Sequence, residues 1–95
     1  ELGKVFYFTD WNDDKEYGTL NFYNGKESVK IADDVHSYYV TQDGRVLYLY
    51  DYSLKYYTGE LYEWFDDETR KIDDDVVCVL SIFNNKNGGY TIYDR

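Results

Sequence analysis

The stretch that decides the fold of this chain is Arg-Val-Leu-Tyr-Leu-Tyr-Asp-Tyr, at residues 45–52. Its β-branched and aromatic side chains favour a strand. Residues 4–11, Lys-Val-Phe-Tyr-Phe-Thr-Asp-Trp, have the same pattern 41 residues earlier. The offset continues without a gap from residues 3–39 to residues 44–80, where twelve of these 37 positions are identical. A match of this length predicts an internal duplication.

Working outward from this stretch, the chain is predicted to be all-β, with four short antiparallel strands in each repeat. Repeat 1 covers about residues 3–43, repeat 2 covers about 44–84, and a third copy begins in 85–95. Gly25 and Gly44 follow Asn and Asp, as expected of tight turns that need a positive φ. We expect nine strands, at about residues 4–11, 19–24, 28–32, 36–41, 45–52, 59–65, 69–72, 76–83 and 89–94, with longer polar loops after the first and fifth.

A period of about 40–45 residues with four strands is typical of a β-propeller blade. The chain resembles bacterial propeller repeats of the TolB-like kind, and more closely the extracytoplasmic propellers of Gram-positive bacteria. The resemblance rests on residues 40–51, on Gly-Glu-Leu-Tyr at 59–62, and on the Lys-Ile blocks at 30–35 and 71–76, and it extends over nearly the whole chain. It implies one complete blade at residues 36–75, three strands of a blade before it and two strands of a blade after it.

Closed propellers have about four to eight blades, whereas this chain has roughly two. Three alternatives stay open: the chain is part of a longer propeller, copies of it assemble into a ring, or its strands form a β-sandwich. Because a repeat unit does not bury its faces alone, we expect either self-association or a missing remainder of the propeller.

Charge and composition exclude several partners. The chain has 19 acidic and 10 basic residues, for a net charge of −9. A nucleic-acid or anionic-lipid surface needs clustered Lys and Arg, so neither partner is expected. No apolar run approaches the roughly 20 residues that span a bilayer. The single cysteine, Cys78, excludes an internal disulfide.

Exposed aromatic side chains are the first candidate site. Tyrosine and tryptophan present a large apolar surface with a polar atom, which suits stacking on sugar rings or docking of a protein. Binding residues concentrate on loops. The candidates near the predicted loops are Trp11, Tyr17, Tyr52, Tyr56 and Tyr57. Packing between neighbouring sheets is the alternative role for aromatics, and we favour it for Tyr7, Tyr48, Tyr62 and Trp64.

Acidic clusters are the second candidate site, because calcium takes oxygen ligands. The residues concerned are Asp33, Asp34, Asp73, Asp74 and Asp75. None of them fits the spaced pattern of a calcium-binding loop, and Asp in such a position commonly stabilises a turn. The lone His36 and the apolar surroundings of Cys78 indicate structural roles.

The sequence favours a non-catalytic interaction module, a part of an extracytoplasmic propeller-like protein that presents aromatic and acidic loops to a protein or glycan. The extracytoplasmic, cell-surface or secreted location is implied by the resemblance alone. The alternatives are a purely structural repeat spacer and, third, a calcium-dependent carboxylate hydrolase. No cofactor other than calcium is expected.

Overall fold

The computed structural model describes residues 5–41, 43–85 and 88–94, and side chains up to residue 78. This part of the chain is all-β, as predicted, and contains no helix that could cross a membrane. Its eight strands are β1 (Val5–Asn12), β2 (Tyr17–Tyr23), β3 (Ser28–Val40), β4 (Val46–Ser53), β5 (Thr58–Phe65), β6 (Glu68–Val76), β7 (Cys78–Asn85) and β8 (Gly88–Asp94).

The first six strands form one antiparallel sheet in sequence order, from β1 at one edge to β6 at the other. Strands β7 and β8 pair with each other as a separate two-stranded sheet. Every connection within the large sheet joins neighbouring antiparallel strands, which requires only short turns. The predicted charged strand at residues 69–72 lies within β6, at a sheet edge, where charged side chains discourage further strand pairing.

Strand β3 is a single strand of 13 residues, where the sequence predicted two strands joined by a connection. Its first part pairs with β2, from Ser28 opposite Tyr23 to Val35 opposite Gly18. Its second part pairs with β4, and the register shifts between Val35 and Ser37. The two predicted strands merge because hydrogen bonding continues through the bend. The described residues therefore form eight strands, and the predicted number of nine was wrong.

The bends in the strands occur at aspartates with a left-handed backbone. The φ angle is +54° at Asp10 and +55° at Asp51, and it is +56° at Asp34 and +54° at Asp75. Members of each pair are 41 residues apart. Aspartate tolerates this region better than most residues, and an extra residue in one strand bends that strand and increases its twist. These aspartates therefore set the curvature of the sheet.

The turn after β1 and the turn after β4 are shorter than the polar loops that the sequence predicted. Each has four residues, and each is closed by a backbone hydrogen bond: Glu16 N donates to Asn12 O at 2.7 Å, and Tyr57 N donates to Ser53 O at 2.7 Å. The expectation of a positive φ at the glycine turns is confirmed, with +99° at Gly25 and +90° at Gly44.

The curved sheet folds so that its two halves pack against each other. We call β1, β2 and the first part of β3 the first half-sheet, and the second part of β3 with β4, β5 and β6 the second half-sheet. One apolar cluster joins them, with Leu20 and Val35 from the first and Val46, Tyr48 and Trp64 from the second. Burial of this shared cluster holds the halves together.

A second apolar cluster lies on the opposite face of the second half-sheet. Val46 and Tyr48 of β4 belong to the first cluster, whereas Leu47 and Leu49 belong to the second, so both faces of this strand are buried. Five side chains in or packed against the second cluster stand 41 residues after first-half side chains in or packed against the first cluster. The pairs are Phe6 and Leu47, Phe8 and Leu49, Leu20 and Leu61, Ile31 and Ile72, and Val35 and Val76.

Candidate functional site

A cleft of about 900 Å³ opens between the two half-sheets, at the end where β2, β3 and β5 finish. The first half-sheet contributes Phe6 and Phe22 to its lining, and the turn after β2 contributes Asn24. The second half-sheet and its turns contribute the other described lining residues, which are Val40, Thr41, Asp43, Gly44, Trp64, Phe65, Asp66 and Asp67. The volume lies within the range of about 300–1,000 Å³ that is typical of small-ligand pockets.

The bend in β3 brings residues of the two half-sheets to the same cleft. This strand starts beside Tyr23 and turns back near Val35, so its last residue, Val40, lies in the same cleft as Asn24 from the turn after β2. Across the cleft, Phe22 contacts Trp64 with ring centroids 5.1 Å apart. The floor is therefore aromatic and is built from both half-sheets.

The mouth of the cleft exposes apolar surface. Phe65 is 47% exposed and Val40 is 41% exposed, whereas Trp64 is buried and only 9% exposed. Phe65 ends β5, directly before the turn of Asp66 and Asp67. Trp64 and Phe65 are consecutive in β5, so their side chains point to opposite faces of the strand, and Trp64 faces the first half-sheet. A ligand that enters the cleft would therefore contact Val40 and the edge of the buried indole.

Asp43 is fixed in the cleft wall as an anion. The Thr41 hydroxyl donates a hydrogen bond to its carboxylate, and Arg45 Nε donates to Oδ1 at 3.2 Å. The Thr41 hydrogen bond, assisted by Arg45, holds the pKa of Asp43 below its usual range. Arg45 also reaches Glu63 at 3.3 Å, and Arg70 binds the other Glu63 oxygen at 2.8 Å. This chain of ion pairs anchors the wall.

Asp66 and Asp67 form the two-residue turn between β5 and β6. Both have a left-handed backbone, with φ of +54° and +64°. Turns of this kind favour Asn-Gly, because both central residues need a positive φ. Two adjacent carboxylates in this geometry repel each other, and their side chains form no hydrogen bond or ion pair with the described residues. The turn therefore presents at the cleft two carboxyl groups that no described residue pairs with.

The aromatic residues that the sequence proposed as a site lie at the opposite end of the sheet. Trp11 is 45% exposed and covers Gly18, where an added Cβ would stand 2.9 Å from the Thr9 carbonyl oxygen and 3.0 Å from the indole. Tyr17 starts β2 and is half-buried. Trp11 thus has a packing role, and it also contacts Phe8 edge-on at 5.1 Å.

Tyr52 corresponds to Trp11 at the 41-residue offset and lies beside Gly59. Its ring stacks on His36, with centroids 3.9 Å apart and planes 7° apart. The His36 Nδ1 atom lies 2.8 Å from the Glu16 carbonyl oxygen, and it donates this hydrogen bond because a carbonyl only accepts. His36 therefore ties the turn after β1 to β4, in agreement with a structural role.

Tyr56 and Tyr57 are the most exposed of the proposed aromatics, at 69% and 63%. They lie in the turn between β4 and β5, where the Lys55 ammonium group is 5.2 Å from the Tyr56 ring centroid. The left-handed φ of +60° at Tyr57 and the Ser53 side chain, which accepts from Tyr56 N at 3.2 Å, shape this turn. These two rings form a second exposed aromatic surface.

The aspartates proposed as calcium ligands have local partners. Asp33 accepts from Thr19 Oγ1 at 2.9 Å and from Lys30 Nζ at 3.0 Å, which lowers its pKa, chiefly through the lysine. Asp74 pairs with Lys71 at 2.6 Å, and Asp73 accepts from the Asp74 amide at 2.8 Å. The other two, Asp34 and Asp75, occupy the strand bends. Among the described residues, no group of three or more His, Cys, Asp or Glu could hold a metal ion.

Comparison with protein-family models, with curated proteins and with solved structures finds no match to this chain. The assignment of a function therefore rests on the chain's own residues.

Sequence reasoning missed the cleft. Asp66, Asp67, Phe6, Phe22 and Phe65 are not among the residues that the sequence predicts as a site. The signal that could have found part of it is Asp-Asp in a two-residue turn, where an Asn or Gly is expected. Nothing local to Phe22 indicates that it meets Trp64, 42 positions later.

Proposed function

We propose that this chain is a non-catalytic interaction module that binds a protein or glycan partner in the cleft between its half-sheets. The observation that carries the proposal is the lining of the cleft: aromatic rings from both half-sheets beside three carboxylates. Aromatic surface supplies contact area, and a few placed polar groups supply orientation and specificity.

The repeated arrangement of the two apolar clusters supports a propeller-like stacking of units as part of this proposal. One face of the second half-sheet covers the first half-sheet, and its other face buries the equivalent apolar residues 41 positions later. Units related in this way stack face to back, as blades do. In a propeller-like protein the cleft would lie between two neighbouring blades. The resemblance to extracytoplasmic propellers extends the proposal to a partner at the cell surface or outside the cell.

The experiment uses the two tryptophans as reporters, because Trp64 lies in the cleft and Trp11 lies at the other end of the sheet. Neutral hexasaccharides of glucose and of N-acetylglucosamine, and synthetic peptides of defined charge, are titrated while the two indole N–H signals are followed by NMR. A probe that binds in the cleft shifts the Trp64 signal and leaves the Trp11 signal in place.

Two variants complete the test. Phe22→Leu removes a ring of the cleft floor and keeps an apolar side chain in the shared cluster, and Tyr56→Ala removes an exposed ring at the far end. We expect Phe22→Leu to weaken binding by about tenfold, and Tyr56→Ala to leave it within twofold. If Tyr56→Ala abolished binding and Phe22→Leu did not, the interaction surface would be the exposed turn of Tyr56 and Tyr57 instead of the cleft.

A further inference from the structure

We infer that the partner group bound in the cleft is an arginine side chain of a basic protein segment, an inference that rests on the proposed function. The first argument is charge. The described lining of the cleft holds three carboxylates, Asp43, Asp66 and Asp67, and no lysine or arginine. Asp43 is already paired with Arg45, so a cationic ligand would neutralise Asp66 and Asp67, and the net charge of −9 attracts such a ligand over longer distances.

The second argument is the supply of hydrogen-bonding groups. A sugar ring needs both donors and acceptors from its site. The acceptor oxygens of Asn24 and Thr41 are already used, because Asn24 Oδ1 accepts from the amides of Lys26 and Glu27 at 2.8 and 3.0 Å, and Thr41 binds Asp43 and Arg45. Beside the Asn24 amide and the Trp64 indole N–H, the side-chain groups left over are the carboxylate oxygens of Asp66 and Asp67, which only accept. A ligand made of donors fits them best.

The third argument is shape. A guanidinium group is planar, stacks on aromatic rings and binds a carboxylate through two parallel hydrogen bonds. Phe22 and Trp64 form the aromatic floor of the cleft, with ring centroids 5.1 Å apart, and the Asp66–Asp67 turn lines the same cleft. A lysine ammonium would gain the charge attraction and would lose the stacking.

The peptide probe is acetyl-Ala-Arg-Ala-Arg-Ala-amide, and its control contains citrulline in place of arginine. Citrulline has nearly the same shape and no charge. We expect the arginine peptide to shift the Trp64 indole signal and to bind at least tenfold more tightly than the citrulline peptide. Equal binding of the two peptides would overturn the inference, because the cleft would then recognise shape without charge.

Matched variants separate the effect of the carboxylates at the cleft from the effect of the overall negative charge of the chain. Asp66→Asn with Asp67→Asn removes two charges at the cleft and keeps residues that accept a left-handed backbone. Asp13→Asn with Asp14→Asn removes two charges at the far end, in the turn after β1. We expect the first pair to weaken binding of the arginine peptide at least tenfold and the second pair to change it by less than twofold. Equal losses would overturn the inference.

The same titrations distinguish this inference from the proposed function. If a neutral hexasaccharide shifts the Trp64 signal and the arginine peptide does not, the inference is wrong and the binding module remains. If neither the hexasaccharides nor any peptide shifts that signal, the proposed function fails, and the inference fails with it.

Discussion

At the scale of one residue, the packing of the two half-sheets changes the pKa of Tyr48. Its side chain is 3% exposed in the shared cluster, and burial raises its pKa to about 12. Burial also raises the pKa values of Tyr50, Tyr52 and Tyr62. A buried phenol resists ionisation because the charged form is poorly solvated in the core.

The stability of the fold should therefore fall in alkali. Above pH 10 the unfolded chain releases the Tyr48 proton and the folded chain retains it, so between pH 10 and 12 the free energy of unfolding decreases. Tyr48 alone contributes about 1.4 kcal/mol per pH unit. Urea unfolding at pH 9–11 measures the slope, and Tyr48→Phe should reduce it. An unchanged slope in that variant would show that Tyr48 is not the group responsible.

Position 18 requires a glycine, because an added Cβ would stand 2.9 Å from the Thr9 carbonyl oxygen. At Gly59 the nearest atom would be 3.2 Å away. We expect Gly18→Ala to destabilise the fold by about 1–3 kcal/mol and Gly59→Ala to destabilise it less, as measured by urea unfolding. The reverse order would contradict the packing of Trp11 over Gly18.

At the scale of elements, the strands could be predicted and their bends could not. Alternating aromatic and β-branched residues indicated β1, β4 and β5, and Gly25 and Gly44 indicated turns. The positive φ of Asp10, Asp34, Asp51 and Asp75 has no unique signal, because aspartate serves equally as a turn residue. The bends bring distant residues together, so the cleft could not be predicted either.

We expect the Asp66–Asp67 turn to be less stable than the same turn with the sequence Asn-Gly. Replacing it by Asn-Gly, with Asp66→Asn and Asp67→Gly, supplies the residues that the backbone geometry favours and removes the charge repulsion. We expect the free energy of unfolding to rise by about 1 kcal/mol, measured in urea at neutral pH, while binding of the arginine peptide is lost. A lower stability would mean that the two carboxylates have stabilising partners.

At the scale of the whole molecule, one apolar cluster belongs to both half-sheets, so neither should unfold alone. Leu20 is fully buried in this cluster. We expect Leu20→Ala to cost about 2–5 kcal/mol and to lower the stability of both half-sheets together. The Trp11 and Trp64 NMR signals should disappear at the same urea concentration. Two separate midpoints would show that the half-sheets are independent units.

The two edges of the six-stranded sheet are chemically unequal. Along β6 the exposed residues include Glu68, Arg70 and Lys71, whereas β1 has Asp10 as its single charged residue and exposes Val5 to 55%. A strand from another chain meets little electrostatic resistance at β1 and a charged barrier at β6. We therefore expect growth through these two edges to end after one addition: a pair of sheets joined through β1 would turn a charged strand outward on each side, which opposes fibre formation.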